Sequence, residues 1–396
     1  MGQGLVVLTL ALLLGLQAIT TDLYLPALPM LQANFDATMG QTQLTLTALL
    51  LAFGVSQLFW GPLSDRFGRR PILLAGMSIF VFASVASVLS TSMPMLIVFR
   101  ALQGAAMGAA VMCARAVVRD LYSPIDGARA MSRGLSGLGV IACLSLPVGA
   151  VLSTQWGWRA SLGAVAVFGG ATLALVALRF EETLRLPNPG ALQPGTLAKT
   201  WREILRNPTF RAFSALSICS YGGLFTYLAA SSFVYIQVLG LSPNAYSLVL
   251  VASALAYIPG TFMCRRLLLR FGVRKTIAIG GAITLTSGTL MGVLALAGVH
   301  TVWALMGPFC GYMLGHGIHQ ACGQSGAVGP FPHAAGTAAA LNGFFMMVVA
   351  FVIGGWLGQN LNGTVYPLAF GVWFWAALIA LLAWTGVQRH GAPSPL

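Results

Sequence analysis

Twelve runs of predominantly apolar residues, each about as long as a helix needs to be to cross a bilayer, leave this chain little choice of architecture. They fall at about 5–30, 42–60, 72–91, 94–114, 131–153, 159–178, 212–237, 244–263, 276–297, 301–323, 335–358 and 364–386, with ends placed to within about 2–4 residues. Hydrocarbon roughly 30 Å thick takes about 20 helical residues, whereas the strands of a membrane barrel would alternate in polarity over about 10. No such alternation runs through these segments. With 57% of 396 residues hydrophobic and only 7% charged, a soluble fold is excluded. The expected class is an all-α integral membrane protein with twelve transmembrane helices. Met1 to Gly4 carries no basic side chain and no small-residue cleavage site follows, so the first run is expected as span one and not as a leader.

The basic residues set the expected orientation, since Lys and Arg near span ends stay on the cytoplasmic side. Arg66, Arg69 and Arg70 follow span two, and Arg115, Arg119, Arg129 and Arg133 surround the break after span four. Arg179, Arg185, Lys199, Arg202, Arg206 and Arg211 follow span six; Arg265, Arg266, Arg270, Arg274 and Lys275 follow span eight. Odd-numbered breaks hold almost nothing basic except Arg159, so both termini are expected in the cytoplasm. The net charge of +13 is then a topology signal and an attraction to anionic lipid headgroups, with no call for nucleic acid as a partner.

One long polar, Pro-bearing stretch, EETLRLPNPGALQPGTLAKTWREILRNPTF, divides the spans six and six. The expected organisation is a first six-helix bundle over 1–180, a cytoplasmic linker over 181–210 and a second bundle over 211–396. The halves echo each other: DRFGRRP after span two is matched by LRFGVRK after span eight, with Phe67 and Phe271 204 residues apart. ARAMSRGLSG entering span five likewise resembles GTAAALNGFF entering span eleven. Two repeats in the same orientation imply a pseudo-twofold axis along the membrane normal and a site between the halves near the midplane.

These stretches carry a family resemblance. GPLSDRFGRRP, residues 61–71, resembles the signature between helices two and three of the major facilitator superfamily, and RALQGAAMGAA, residues 100–110, resembles the helix-four motif of its proton-coupled members. LPVGA, residues 146–150, is similar to the helix-five motif of its antiporters, with Leu146 where the motif has Gly. TDLYLPALP and FPHAAGTAAALNG are similar to the bicyclomycin-resistance (Bcr/CflA) branch of drug:proton antiporters. The resemblance implies the major facilitator fold, multi-pass in a bacterial inner membrane. It also implies multidrug efflux by proton antiport and hence antibiotic resistance, with chloramphenicol-type or bicyclomycin-type molecules as substrates. Export of one cellular metabolite such as a nucleoside, and uptake by symport, are the alternatives. No cofactor is implied beyond the proton gradient; the partners expected are a small-molecule substrate, protons and lipid, and the chain is expected to act as a monomer.

The residues support a mechanism on their own terms. Of the 8 acidic residues, only Asp22 falls inside a predicted span, and none follows Glu203. An ionised carboxylate in the bilayer costs about 2.5 kcal/mol or more unless paired or hydrated, which makes Asp22 the expected proton carrier; the bland alternative is a side chain snorkelling outward near Pro26 and Pro29. Arg100 is the second intramembrane charge. It is expected to communicate with Asp22 directly or through Gln103 and water; the alternative is a structural Arg bonded to backbone carbonyls. Gly61, Asp65, Arg66, Gly68, Arg69 and Arg70 are expected to form a cytoplasmic latch. In it Asp65 caps the next helix or pairs with a base, and the Arg cluster faces lipid phosphate; a topological anchor is the alternative.

Gly104, Gly108, Gly134, Gly137 and Gly139 suit close helix contact, and Pro147 and Gly149 can kink span five as a gate. A cavity for moderately lipophilic molecules is expected from Asp22, Gln103, Met107, Tyr221, Phe225, Tyr227, Tyr257, His316, Gln320, Asn342 and Phe345, though each also suits ordinary packing. His316 and His319 lack the third ligand of a metal site; they serve substrate or proton, or else interhelical hydrogen bonds. Enzyme chemistry is not expected. The six cysteines form no CxxC, no phosphate-binding loop is present and no carboxylate pair shares a span.

Overall fold

The structure, a computed structural model, describes residues 2–122, 124–184, 186–187 and 192–390. Arg185, counted above among the bases after span six, lies outside the described residues. The chain divides into two compact units, Met1–Leu197 and Ala198–Leu396.

In the first unit, α1 (Gln3–Asp22) runs through a 3-10 turn, Leu25–Ala27, into the short α2 (Leu28–Asn34). There follow α3 (Met39–Phe67), α4 (Arg69–Val88), α5 (Met93–Leu121), α6 (Pro124–Trp156) and α7 (Trp158–Arg179). The helices start where short polar side chains can satisfy the first free N–H groups. Thr38 and Gln41 cap α3 reciprocally, and Ser92 accepts from Met95 N just ahead of Pro94. Within the unit α5 lies against α3 and α4, α1 lies against α6 and touches α5, and α7 packs on α4. Small residues permit this closeness. An added Cβ at Gly104 would run into the Leu49 backbone, and one at Gly134 would sit 2.9 Å from Leu10 Cβ. Gly137 meets Ala11 in the same way. Gly139 is a correction: a Cβ there would meet nothing within 4 Å, so it makes no close helix contact.

The expected linker contains a helix, α8 (Pro194–Arg206), that runs across the division at Leu197 into the second unit and that the absence of a long apolar run concealed. Then come α9 (Pro208–Ser232), continued by a π turn over Phe233–Val238, α10 (Pro243–Leu255), α11 (Tyr257–Leu296), α12 (Val302–Val328), α13 (Ala335–Asn360), α14 (Tyr366–Trp384) and α15 (Gly386–His390). Asn207, Ser242 and Thr301 cap α9, α10 and α12. α9 is flanked by α12, α13 and α14, and α11 by α12 and α14.

Among the described residues, 10 segments are long and apolar enough to cross a membrane. One of these, Pro243–Leu296, is 54 residues long, about 80 Å if straight, and Gly272 (φ 70°, ψ 176°) breaks it into two spans. α12 meets the length but carries His316, His319 and Gln320 in its interior; with it the fold has 12 transmembrane helices.

Candidate functional site

Asp22 is the last residue of α1, at the point where regular helix gives way to the 3-10 turn. Its side chain is partly exposed, and among the described residues one polar partner faces it: the Thr21 hydroxyl lies 2.9 Å from Asp22 Oδ1. That hydroxyl also lies 2.9 Å from the Gln17 carbonyl. A hydroxyl has one proton to give and can also accept. With Asp22 ionised, Thr21 donates to it; with Asp22 protonated, Thr21 accepts from the acid and donates to Gln17 O. The partner therefore fits both protonation states. Gly149 of α6 sits against the Leu23 carbonyl, so only a residue without Cβ lets α6 lie on the break beside the carboxylate. Pro147, two residues earlier, is accommodated inside α6, which continues to Trp156.

Arg100 is fully buried and does not touch Asp22. Its Nη2 donates to Thr20 O (3.0 Å), its Nε to Thr45 O (3.3 Å) and its Nη1 to Gln103 Oε1 (2.7 Å). The guanidinium lies 4.4 Å from the ring centroid of Tyr24, whose hydroxyl donates to Thr45 Oγ1 (2.7 Å). Gln103 passes the network on to Ser84 Oγ (2.6 Å). Of the two arrangements the sequence left open for Arg100, this is the one with backbone carbonyls. It still bears on Asp22, because Thr20 and Tyr24 stand on either side of that residue. Arg100 thus grips the helix break through its flanks and ties it to α3, α4 and α5. Tyr24 was missed by sequence reasoning, although TDLYLPALP placed an aromatic two residues from the acid.

The basic ends of α3, α4, α5 and α7 meet in a clasp. Arg69 is buried at 1% exposure, with Nη1 2.7 Å from Asp65 Oδ1 and Nε 2.8 Å from Asp120 Oδ2; it also donates to Ser64 Oγ (2.7 Å). Arg119 reaches Asp65 at 3.3 Å and Thr183 donates to Asp120 at 3.2 Å. Asp65 thus pairs with bases, and the cap on α4 comes from elsewhere. Glu182 accepts from Arg69 N (2.9 Å) and Arg70 N (3.0 Å) with its two oxygens, clamping the exit of α7 to the start of α4. Partial burial pushes Glu182 up. The backbone N–H groups of Leu184, Arg69, Arg70 and Thr183 together outweigh that and hold its carboxyl below its ordinary value of 4.5. Gly68 makes the turn with φ 101°, and Gly61 packs on Met112 of α5. The expectation that the Arg cluster faces lipid phosphate is corrected for Arg69, which lies inside the clasp. Arg70 reaches Ala177 O (3.1 Å), and Arg66 lies over Phe67 at 5.3 Å.

The remaining candidates separate by unit. Gln103 and Met107 are buried in the first. In the second, α9 and α12 share a polar seam: His316 Nδ1 is 2.8 Å from Ser220 Oγ, Gln320 Nε2 donates to Ser217 O (3.0 Å), and Tyr312 donates to Ser220 O (3.0 Å). Asn342 of α13 extends it, accepting from Ser214 at 2.7 Å. Tyr257 sits 5.7 Å from His316, centroid to centroid, and Tyr221 stacks with Phe225 at 6.2 Å. Phe345 packs on Phe344 (5.3 Å). Tyr227 does not face Tyr221 or Phe225: it is fully buried, bonded to Tyr235 at 2.8 Å and stacked at 3.5 Å on Phe309, which stacks in turn on Tyr312 at 5.5 Å. His319 turns the other way from His316. Thr284 gives its proton to Gly280 O, so His319 Nε2–H donates to Thr284 Oγ1 (3.2 Å) on α11. No group of three metal-ligating side chains occurs among the described residues.

A sequence profile of the Major Facilitator Superfamily matches residues 10–355, and the chain belongs to that superfamily. It is a multi-pass membrane transporter and not an enzyme. Multidrug resistance protein D of Escherichia coli K12 is 33% identical over 337 residues, covering 85% of this chain and 84% of that one. The bicyclomycin resistance protein homolog of Haemophilus influenzae is 26% identical over 365 residues, covering 92% and 91%. The xylose transporter XylE of E. coli, solved partially occluded and inward open, superposes with a TM-score of 0.76 at 14% identity, covering 99% of this chain and 98% of that one; it shares the fold.

Proposed function

We propose that the chain is a proton-coupled antiporter of the bicyclomycin-resistance type. It exports drug-like small molecules across a bacterial inner membrane by alternating access, with both termini in the cytoplasm. The observation that carries this reading is Asp22, a carboxylate at a break in an intramembrane helix whose hydroxyl partner serves it with or without a proton. The names of the relatives above support the substrate class.

In the cycle, Asp22 takes a proton from the outside as substrate leaves, and releases it to the cytoplasm as substrate binds. Arg100, through Thr20 and Tyr24, transmits movement of α3, α4 and α5 to the segment bearing the acid. Pro147 and Gly149 let α6 follow that segment. The Arg69 clasp holds the ends of α3, α4 and α5 together in the outward-open state. Tyr221, Phe225, Tyr257, His316, Gln320 and Asn342 supply apolar surface and a few hydrogen bonds to the cargo.

Purified protein in proteoliposomes, given chloramphenicol and an imposed pH gradient, tests the reading. Drug movement opposite to proton flux is the expected result. Movement of nucleosides or other metabolites in place of drug removes the multidrug assignment, and movement of drug with the protons makes the protein a symporter.

A further inference from the structure

The transport reading makes no use of cysteine, yet two of the six cysteines meet. Cys264 of α11 and Cys322 of α12 have their sulfurs 3.7 Å apart, each side chain buried, and the two are 58 positions apart in the chain. Among the described residues no other pair of thiols comes within hydrogen-bonding reach; Cys113, for example, faces the Arg69 carbonyl at 4.0 Å. The meeting follows from how the helices cross. A Cβ added at Gly317 of α12 would lie 2.9 Å from the Gly260 carbonyl carbon of α11, and one at Gly260 would lie 2.9 Å from Leu314 Cα. The two backbones therefore touch at this glycine crossing, and Cys264 lies four residues and Cys322 five residues beyond it, roughly 6 and 7.5 Å along the two helices. At that level the two thiols face each other.

We propose that Cys264 and Cys322 are an oxidation site, a dithiol that a hydroperoxide closes to a disulfide tying α11 to α12. The sulfurs have to approach from contact distance to about 2.05 Å, a movement within reach of side-chain rotation when the backbones are already this close. One thiolate attacks a peroxide oxygen and the O–O bond breaks. The sulfur becomes a sulfenic acid, and the departing hydroxide takes up the thiol proton as water. The second sulfur then attacks the first, the S–O bond breaks, and the oxygen leaves with the second thiol proton as another water. Two thiols lose two electrons and one hydrogen peroxide is reduced to two waters.

The test uses the full-length protein, purified reduced and then treated with hydrogen peroxide or with diamide. It is denatured, alkylated, digested and analysed by mass spectrometry. Before treatment all six cysteines are expected to alkylate. Afterwards Cys264 and Cys322 are expected to lose their label together and to appear in one linked peptide, lighter by two hydrogens, that dithiothreitol separates. In Cys322→Ser, Cys264 is expected to give no linked peptide and to be trapped by dimedone as the sulfenic acid. Retention of both labels under hydrogen peroxide overturns the proposal even if diamide links the pair, as does linkage of either residue to a different cysteine. The outcome does not depend on substrate or transport direction, so it is independent of the antiport reading.

Discussion

Residues 65–71 and 269–275 make the same turn with different chemistry. Gly68 and Gly272 both take positive φ (101° and 70°), and in both an Arg lies over the following Phe, at 5.3 Å in the first and 5.1 Å in the second. What differs is the charge. Asp65 and Arg69 of the first are Leu269 and Val273 in the second; Leu269 is 86% exposed, and Arg265, Arg266, Arg270 and Arg274 stand exposed around it. A helix-to-helix turn on the basic face therefore needs only its glycine. The buried Arg69 with Asp65, Asp120 and Glu182 around it is an addition to the first half that the turn itself does not require.

The comparison is most sharply broken at Arg69. Removing one member of a buried charge network strands the others, at a cost of about 3 kcal/mol or more, so Arg69→Ala should lower the unfolding midpoint in detergent markedly. Arg274→Ala in the second half should stay within about 0.5 kcal/mol of the parent. The glycines come next. Gly68→Ala meets both the left-handed backbone and the Glu182 carboxylate, whereas Gly272→Ala meets the backbone alone, with nothing within 4 Å of its Cβ. The second should cost about 1 kcal/mol and the first clearly more. Glu182→Ala should cost about 0.5–2 kcal/mol, the loss of a helix cap. Because its folded carboxyl lies below 4.5, that stabilisation is complete above the ordinary value and fades as pH falls through the folded one. Midpoints of parent and Glu182→Ala should accordingly converge in acid and separate toward neutrality.

Spans, repeat and turn were legible in the sequence because they depend on local composition and spacing. The break at Leu25–Ala27 was signalled by Pro26 and Pro29, whereas Asp65 left a cap and a basic partner equally open, because Asp65 and Arg69 belong to different helices on either side of Gly68. What was not legible is partner choice over long separations. Glu182 lies 113 residues from Arg69, and nothing in EETL distinguishes the clamping glutamate from its neighbour. For Arg100 the sequence leaves Asp22, Gln103 and backbone carbonyls all open as partners, because two carbonyls, an amide and the Tyr24 ring satisfy a guanidinium as well as a carboxylate does once they are on hand. Tyr221, Phe225 and Tyr227 are close in sequence, which alone does not bring them together. On a helix, residues two apart face different ways, and Tyr227 turns to Phe309 and Tyr235.

The most direct measurement is made on Asp22→Asn in proteoliposomes, reading substrate counterflow and pH-driven transport of the same drug. If Asp22 carries the proton, counterflow between drug inside and outside persists while an imposed pH gradient no longer drives movement. A variant that still moves drug against the proton gradient as the parent does would contradict the assignment and shift proton coupling to another residue.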